Sequence, residues 1–130
     1  MLDDYGTLSV RSYTAGGAIP VSNALVRIHG AEEENRFISY SLITDEDGMT
    51  PIVELPTYSK EFSVIPNPAG KPYSIYNIEI LAEGYLPKRI SGIPIFSGVY
   101  SLLPVSLLPE GRNSVTENNS DITIPDNELL

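Results

Sequence analysis

Apolar and polar side chains alternate along much of this chain, most cleanly over residues 73–87, YSIYNIEILAEGYLP. Tyr76, Ile78, Ile80 and Ala82 fall on one side of a two-residue period, with Asn77, Glu79 and Leu81 on the other. That period, in β-branched and aromatic residues, predicts a half-buried strand ended by Glu83-Gly84. No other stretch is as long or as regular, so this one is expected at the centre of a sheet. The same alternation places Leu8, Val10 and Ser12 inward, and Ser9 and Arg11 outward, in a strand over 7–14. Over 24–29 it sets Ala24, Val26 and Ile28 against Leu25, Arg27 and His29. Further strands are predicted over 36–44, 51–55, 88–96 and 100–108, the last with Leu103, Val105 and Leu107 on one face, and the proline-rich stretch between them has room for a short one over 62–65. Ile19-Pro20-Val21 is an apolar clamp whose proline has no N–H for a central ladder, so it belongs at an edge or a strand entry. Helical periodicity never persists beyond a turn or two.

Turn signals fall between these segments. Eleven prolines and ten glycines interrupt the 130 residues, which suits many short strands. Ala15-Gly16-Gly17-Ala18 is expected as a flexible turn. In Asp45-Glu46-Asp47-Gly48 the aspartate opens and the glycine closes a standard turn. The adjacent carboxylates Glu32, Glu33 and Glu34 repel one another and predict a solvated hairpin loop over 30–35. Together these features predict an all-β fold, a seven-stranded antiparallel Greek-key β-sandwich over 1–109. The length leaves room for one hydrophobic core. From Glu110 onward five acids face the single Arg112 among Asn, Ser and Thr. Such a segment buries too little apolar surface to offset its ordering entropy, so 110–130 is expected to be a disordered tail. Its Ile122-Thr123-Ile124-Pro125 patch carries an alternative, addition as a strand to a sheet edge.

Charge and composition then narrow the partners. A formal charge of −9 repels nucleic acid and anionic membrane surfaces. Without cysteine there is no disulfide framework and no thiolate zinc site. No apolar run is long enough to span a bilayer. Met1-Leu2-Asp3-Asp4-Tyr5 lacks the basic region and apolar run of a secretory signal, so cytoplasmic synthesis is expected.

Three motifs carry a family resemblance: Pro20-Val21 with Ala24-Leu25-Val26 after an N-terminal strand, the Thr44–Gly48 turn, and Ala82-Glu83-Gly84-Tyr85 ending a long strand. In that order they resemble the carboxypeptidase-regulatory-like domains, which share the transthyretin or prealbumin-like sandwich. Asn23 stands where that family usually has glycine. Over GTLSVRSYTAGGAIPVSNALVRI, 74–77 and 93–99 the chain is also similar to the accessory region of clostridial spore cortex-lytic enzymes and to small proteins of spore-forming Firmicutes. The resemblance implies an accessory module of the spore or cell envelope, with peptidoglycan or a peptidoglycan hydrolase as partner. It implies no hydrolytic residues in the module itself. Enzymes of the transthyretin-like sandwich that act on 5-hydroxyisourate use several histidines and a C-terminal Tyr-Arg-Gly-Ser, a set missing here. Adhesin sandwiches carry a first-strand lysine for an isopeptide cross-link; this chain offers Arg11, and no cross-link is expected.

The remaining candidate chemistry is sparse. His29 is the single histidine and lacks a serine elbow or cysteine partner, so a strand-end residue without a catalytic role is expected. Asp45, Glu46 and Asp47 offer oxygen ligands, but the later glutamate of a calcium loop is missing. Paired carboxylates of a glycosidase are not assignable by spacing. Tyr73, Tyr76 and Tyr100 are the candidate ligand-binding residues, because tyrosine rings stack on sugar faces while their hydroxyls hydrogen-bond; packing in the core is the competing use. The chain is therefore expected to be a non-enzymatic envelope module with no cofactor or metal. The alternatives are a hydrolase using His29 and the 45–47 turn, or a structural spacer.

Overall fold

The computed structural model describes residues 2–59 and 72–111, which form eight strands. These are β1 (Asp4–Thr14), β2 (Ile19–Pro20), β3 (Leu25–Gly30), β4 (Ser39–Ile43), β5 (Val53–Thr57), β6 (Tyr73–Leu81), β7 (Lys88–Phe96) and β8 (Tyr100–Ser106). The strand expected over 62–65 and residues 112–130 of the tail expected over 110–130 lie outside the described residues. The all-β expectation holds, whereas the count of seven does not. The additional strand is β2, where the Ile19-Pro20 clamp pairs antiparallel with Tyr13 and Thr14.

One sheet runs β4-β3-β6-β7 and is antiparallel throughout. In the other, β1 pairs with β8 along one edge and with β5 and then β2 along the opposite edge. The β1–β8 pairing is parallel, from Thr7↔Tyr100 to Tyr13↔Ser106, so the expected all-antiparallel arrangement is corrected to a mixed one. Alternation reports which face a residue takes and carries no strand direction, which is why the antiparallel expectation failed for this pair.

The two sheets close on one core. Leu8 and Val10, Val26 and Ile28, Leu55, and Tyr76, Ile78 and Ile80 are all buried within it. Each buried aliphatic or aromatic side chain contributes about 1.5–3 kcal/mol of transfer free energy. Buried polar atoms tie the sheets together. The Tyr76 hydroxyl donates to the Pro56 carbonyl at 2.7 Å and Thr57 Oγ1 to that of Ile95 at 2.7 Å.

Between β5 and β2 the open edge of β1 is completed by the turn after β4. Ser12 N donates to the Gly48 carbonyl at 2.8 Å, Thr50 N to Val10 O at 2.9 Å, and Val10 N to Thr50 Oγ1 at 2.9 Å. Gly48 has φ +78 and a Cβ there would strike Ser12 O, so glycine is required.

The loop over 30–35 departs from the solvated expectation. Residues Glu33–Asn35 form a 3₁₀ turn, and Asn35 is fully buried. Asn35 Oδ1 accepts from Glu32 N at 2.9 Å, its Nδ2 donates to Ile75 O at 3.0 Å, and Glu32 Oε1 accepts from Ile75 N at 3.1 Å. Glu32 is thus spent on the backbone of β6 and Glu34 accepts from the Tyr58 hydroxyl at 2.9 Å, and the expected strand over 36–44 shortens to β4. At the other end the folded body continues past β8: Leu86 N donates to Leu108 O at 2.8 Å and Glu110 N to Gly84 O at 2.9 Å. No helix among the described residues is long and apolar enough to cross a membrane.

Candidate functional site

The three candidate tyrosines do not form one platform. Tyr76 is fully buried, as its place in the two-residue period requires, and burial pushes its hydroxyl above the usual tyrosine range. Tyr73 is half-buried at the start of β6, its ring 5.1 Å from that of Phe96. Tyr100 opens β8 in the other sheet and is 50% exposed. Its hydroxyl meets Ser9 Oγ, laying the ring across the outer face of β1. That contact explains why Ser9 faces outward, as expected, yet is buried.

His29 and the 45–47 turn are also kept apart. His29 sits opposite Ser39 at the start of β4, six residues before Asp45, which is roughly 20 Å of extended chain. Asp45 is occupied structurally, its Oδ1 accepting from Asp47 N at 2.9 Å and Met49 N at 3.0 Å. The hydrolase alternative built on these residues is therefore corrected: no geometry joins its acid to its base. Among the described residues no group of three or more His, Asp or Glu side chains lies close enough to hold a metal ion.

What the fold does assemble is an apolar strip along β8. Tyr100, Leu102 and Pro104 face outward, followed by Leu108, with Leu102 48% and Leu108 62% exposed. Residues 97–109 contain no charged side chain. The bonds Thr7 N to Val99 O and Leu107 N to Tyr13 O fix the phase of the parallel ladder. Odd-numbered residues of β8 therefore bond to β1, and the backbone groups of Tyr100, Leu102, Pro104 and Ser106 point to the other edge. Pro104 has no N–H to lose there, which is where proline is tolerated in a strand. Among the described residues no strand pairs with that edge. An apolar strip beside unpaired ladder groups is a template for another chain.

The edge of the other sheet is blunted. β7 carries Lys88 opposite the inward-facing Ile80, Pro94 within the strand, and a register shift where Gly92 takes φ +78. Charges on the core side, prolines and bulges are the usual means of preventing edge pairing. Sequence reasoning named Tyr100 but passed over Leu102 and Leu108. The uncharged run over 97–109 was the available signal.

Fold and surface together define an all-β two-sheet module in which, among the described residues, no strand pairs with the outer edge of β8. No protein-family model matches the sequence, and no curated protein sequence matches it. Among solved structures, the chain is similar to the Bacillus anthracis TIE protein at 14% identity and TM-score 0.54, over 82% of this chain and 17% of that one. It is also similar to the mercury-inhibited catechol 1,2-dioxygenase of Acinetobacter sp. ADP1 at 13% identity and TM-score 0.51, over 92% of this chain and 59% of that one. The chain thus spans less than two thirds of either protein, and at these identities the likeness is one of fold. The non-enzyme expectation is corrected by the second comparison, because this architecture forms part of an enzyme. It rested on missing motifs, whereas catalytic sites are grafted onto folds and need not follow a motif known in advance.

Proposed function

We propose that this protein is an interaction module of the spore or cell envelope that docks a peptidoglycan hydrolase, or peptidoglycan, on the β8 edge. The observation that carries the docking surface is the uncharged, outward-facing strip of Tyr100, Leu102 and Leu108 beside an edge that no strand among the described residues pairs with. A partner strand added there gains main-chain hydrogen bonds, and the outward side chains supply specificity. The envelope setting is supported by the sequence resemblance to the accessory region of cortex-lytic enzymes. A modular use is supported by the small share of the TIE protein that this fold accounts for. The prealbumin-like Greek-key assignment belongs to the same proposal, supported by two sheets around one core. Synthesis in the mother cell would bring the module to the spore without export.

The test is retention of the full chain on isolated cortex peptidoglycan and, separately, on an immobilised candidate hydrolase, beside a Leu102→Asp/Tyr100→Ala variant. Retention of the wild type by one target, lost in a variant with unchanged melting, is the expected result. Failure of the wild type to bind either target overturns the envelope proposal. Equal retention of the variant moves the docking surface off β8.

A further inference from the structure

The outer face of the β4-β3-β6-β7 sheet holds a second feature, independent of the β8 docking surface. A shallow depression of about 300 Å³ lies across β3, β6 and β7, lined by His29, Asn77, Glu79, Arg89 and Ser91 among others. It exists because β7 is bulged. Tyr76 pairs with Ile93 but Ile78 with Ile90, so Ser91 and Gly92 together face one residue of β6. Bulges of this kind bend a strand and re-aim its side chains. Gly92 N donates to Asn77 Oδ1 at 3.1 Å. A backbone N–H requires an acceptor, which fixes the amide orientation and turns the Asn77 NH₂ away from the bulge.

The groove is rich in donors. Glu79, the only carboxylate among its described lining residues, is engaged by Arg89 Nε at 3.3 Å and stands opposite Arg27 in the ladder. That bond uses one of the five guanidinium N–H groups of Arg89, whose side chain is 80% exposed. Two arginines against one glutamate give a local excess of positive charge on a chain whose formal charge is −9. The other guanidinium N–H groups of Arg89 are donors suited to a carboxylate, while the Asn77 amide, His29 and the Ser91 hydroxyl, which line the same groove, are hydrogen-bonding groups of the kind that ring hydroxyls pair with.

We infer that this groove is a binding site for a single carboxylate-bearing sugar, with the Arg89 guanidinium taking the carboxylate and Asn77, His29 and Ser91 the hydroxyls. The size suits one ring, at the low end of small-ligand sites. N-acetylmuramic acid and glucuronate share this chemistry, whereas N-acetylglucosamine lacks the carboxylate.

The experiment is an amide-shift NMR titration of the full chain with each of these three sugars. The expected result is saturable shifts confined to His29, 77–79 and 89–92 with either acidic sugar, and at least about tenfold weaker binding of N-acetylglucosamine. Arg89→Gln should weaken N-acetylmuramic acid binding to the N-acetylglucosamine level with the remaining spectrum unchanged. Ser91→Ala, which leaves every ion pair in place, should weaken it by a few-fold. No saturable shift with either acid overturns the inference. So does equal binding of the neutral sugar, or full binding by Arg89→Gln. A failed hydrolase pull-down has no bearing on any of these outcomes.

Discussion

The outer face of the β4-β3-β6-β7 sheet presents Arg27, His29, Asn77, Glu79 and Arg89, while that of the β1-containing sheet presents Tyr100, Leu102 and Pro104 over a buried Ser9. Both faces rest on the same core, and both belong to strands with regular alternation. Their edges differ as much as their side chains. β7 is blunted by Lys88, Gly92 and Pro94, whereas the β8 edge has a single interruption at Pro104. A sheet with no partner is under pressure to blunt every edge. An apolar, uncharged edge in a molecule whose β7 edge is blunted is the basis for proposing β8 as the place of contact.

The largest expected effect comes from removing the support common to both faces. Ile80→Asp places a carboxylate where the side chain is fully buried, at a cost of several kcal/mol (roughly 3–5). The variant should show no cooperative urea transition. A near-normal transition would mean that the inward face of β6 is misassigned. Asn35→Ala acts locally, leaving Glu32 N without its acceptor and removing one of the two bonds to Ile75 O, and should lower urea-derived stability by about 1–3 kcal/mol while both outer faces survive.

A pH series tests the two buried tyrosines, Tyr58 and Tyr76. Burial, the hydrogen bond to Glu34 and the nearby Glu34 and Glu32 carboxylates push Tyr58 up to about 12. The folded chain therefore keeps this proton where the unfolded chain releases it, near 10. The resulting stabilisation is fully present below pH ~10 and is lost as pH rises through ~12. Melting temperature should fall over that window, and Tyr58→Phe should flatten the fall without removing it, because Tyr76 is shifted the same way. An equally steep fall in Tyr58→Phe would contradict the assignment. The smallest stability effect belongs to Leu102→Asp, an exposed position, where denaturant stability should change by no more than ~0.5 kcal/mol. A larger loss would show that β8 needs Leu102 for folding and weaken the contrast between the two faces.

Much of the fold was legible in the chain. The inward set Tyr76, Ile78, Ile80 follows from a two-residue period, and so do Leu8 and Val10. The same period set Tyr76 on the inward face, which conflicts with its expected use as a ligand-binding residue, and the structure buries it. Asn35 was not legible, since a polar loop composition does not reveal which amide folds under the chain to satisfy a neighbouring strand. The parallel union of β1 with β8 was hidden because its ends are far apart in sequence and alternation has no direction. The groove had one overlooked sign. A glycine inside a strand pattern, Gly92, marks a bulge, and a bulge is where a flat sheet acquires a recess.

The most direct test of the β8 claim is hydrogen exchange on the full chain, free and bound to the hydrolase that retains it. Partner docking by strand addition predicts slowed exchange at the amides of Tyr100, Leu102 and Ser106, the ones turned to the open edge, with β7 unchanged. Protection appearing along β7 or β4 while those three amides exchange as before would contradict it.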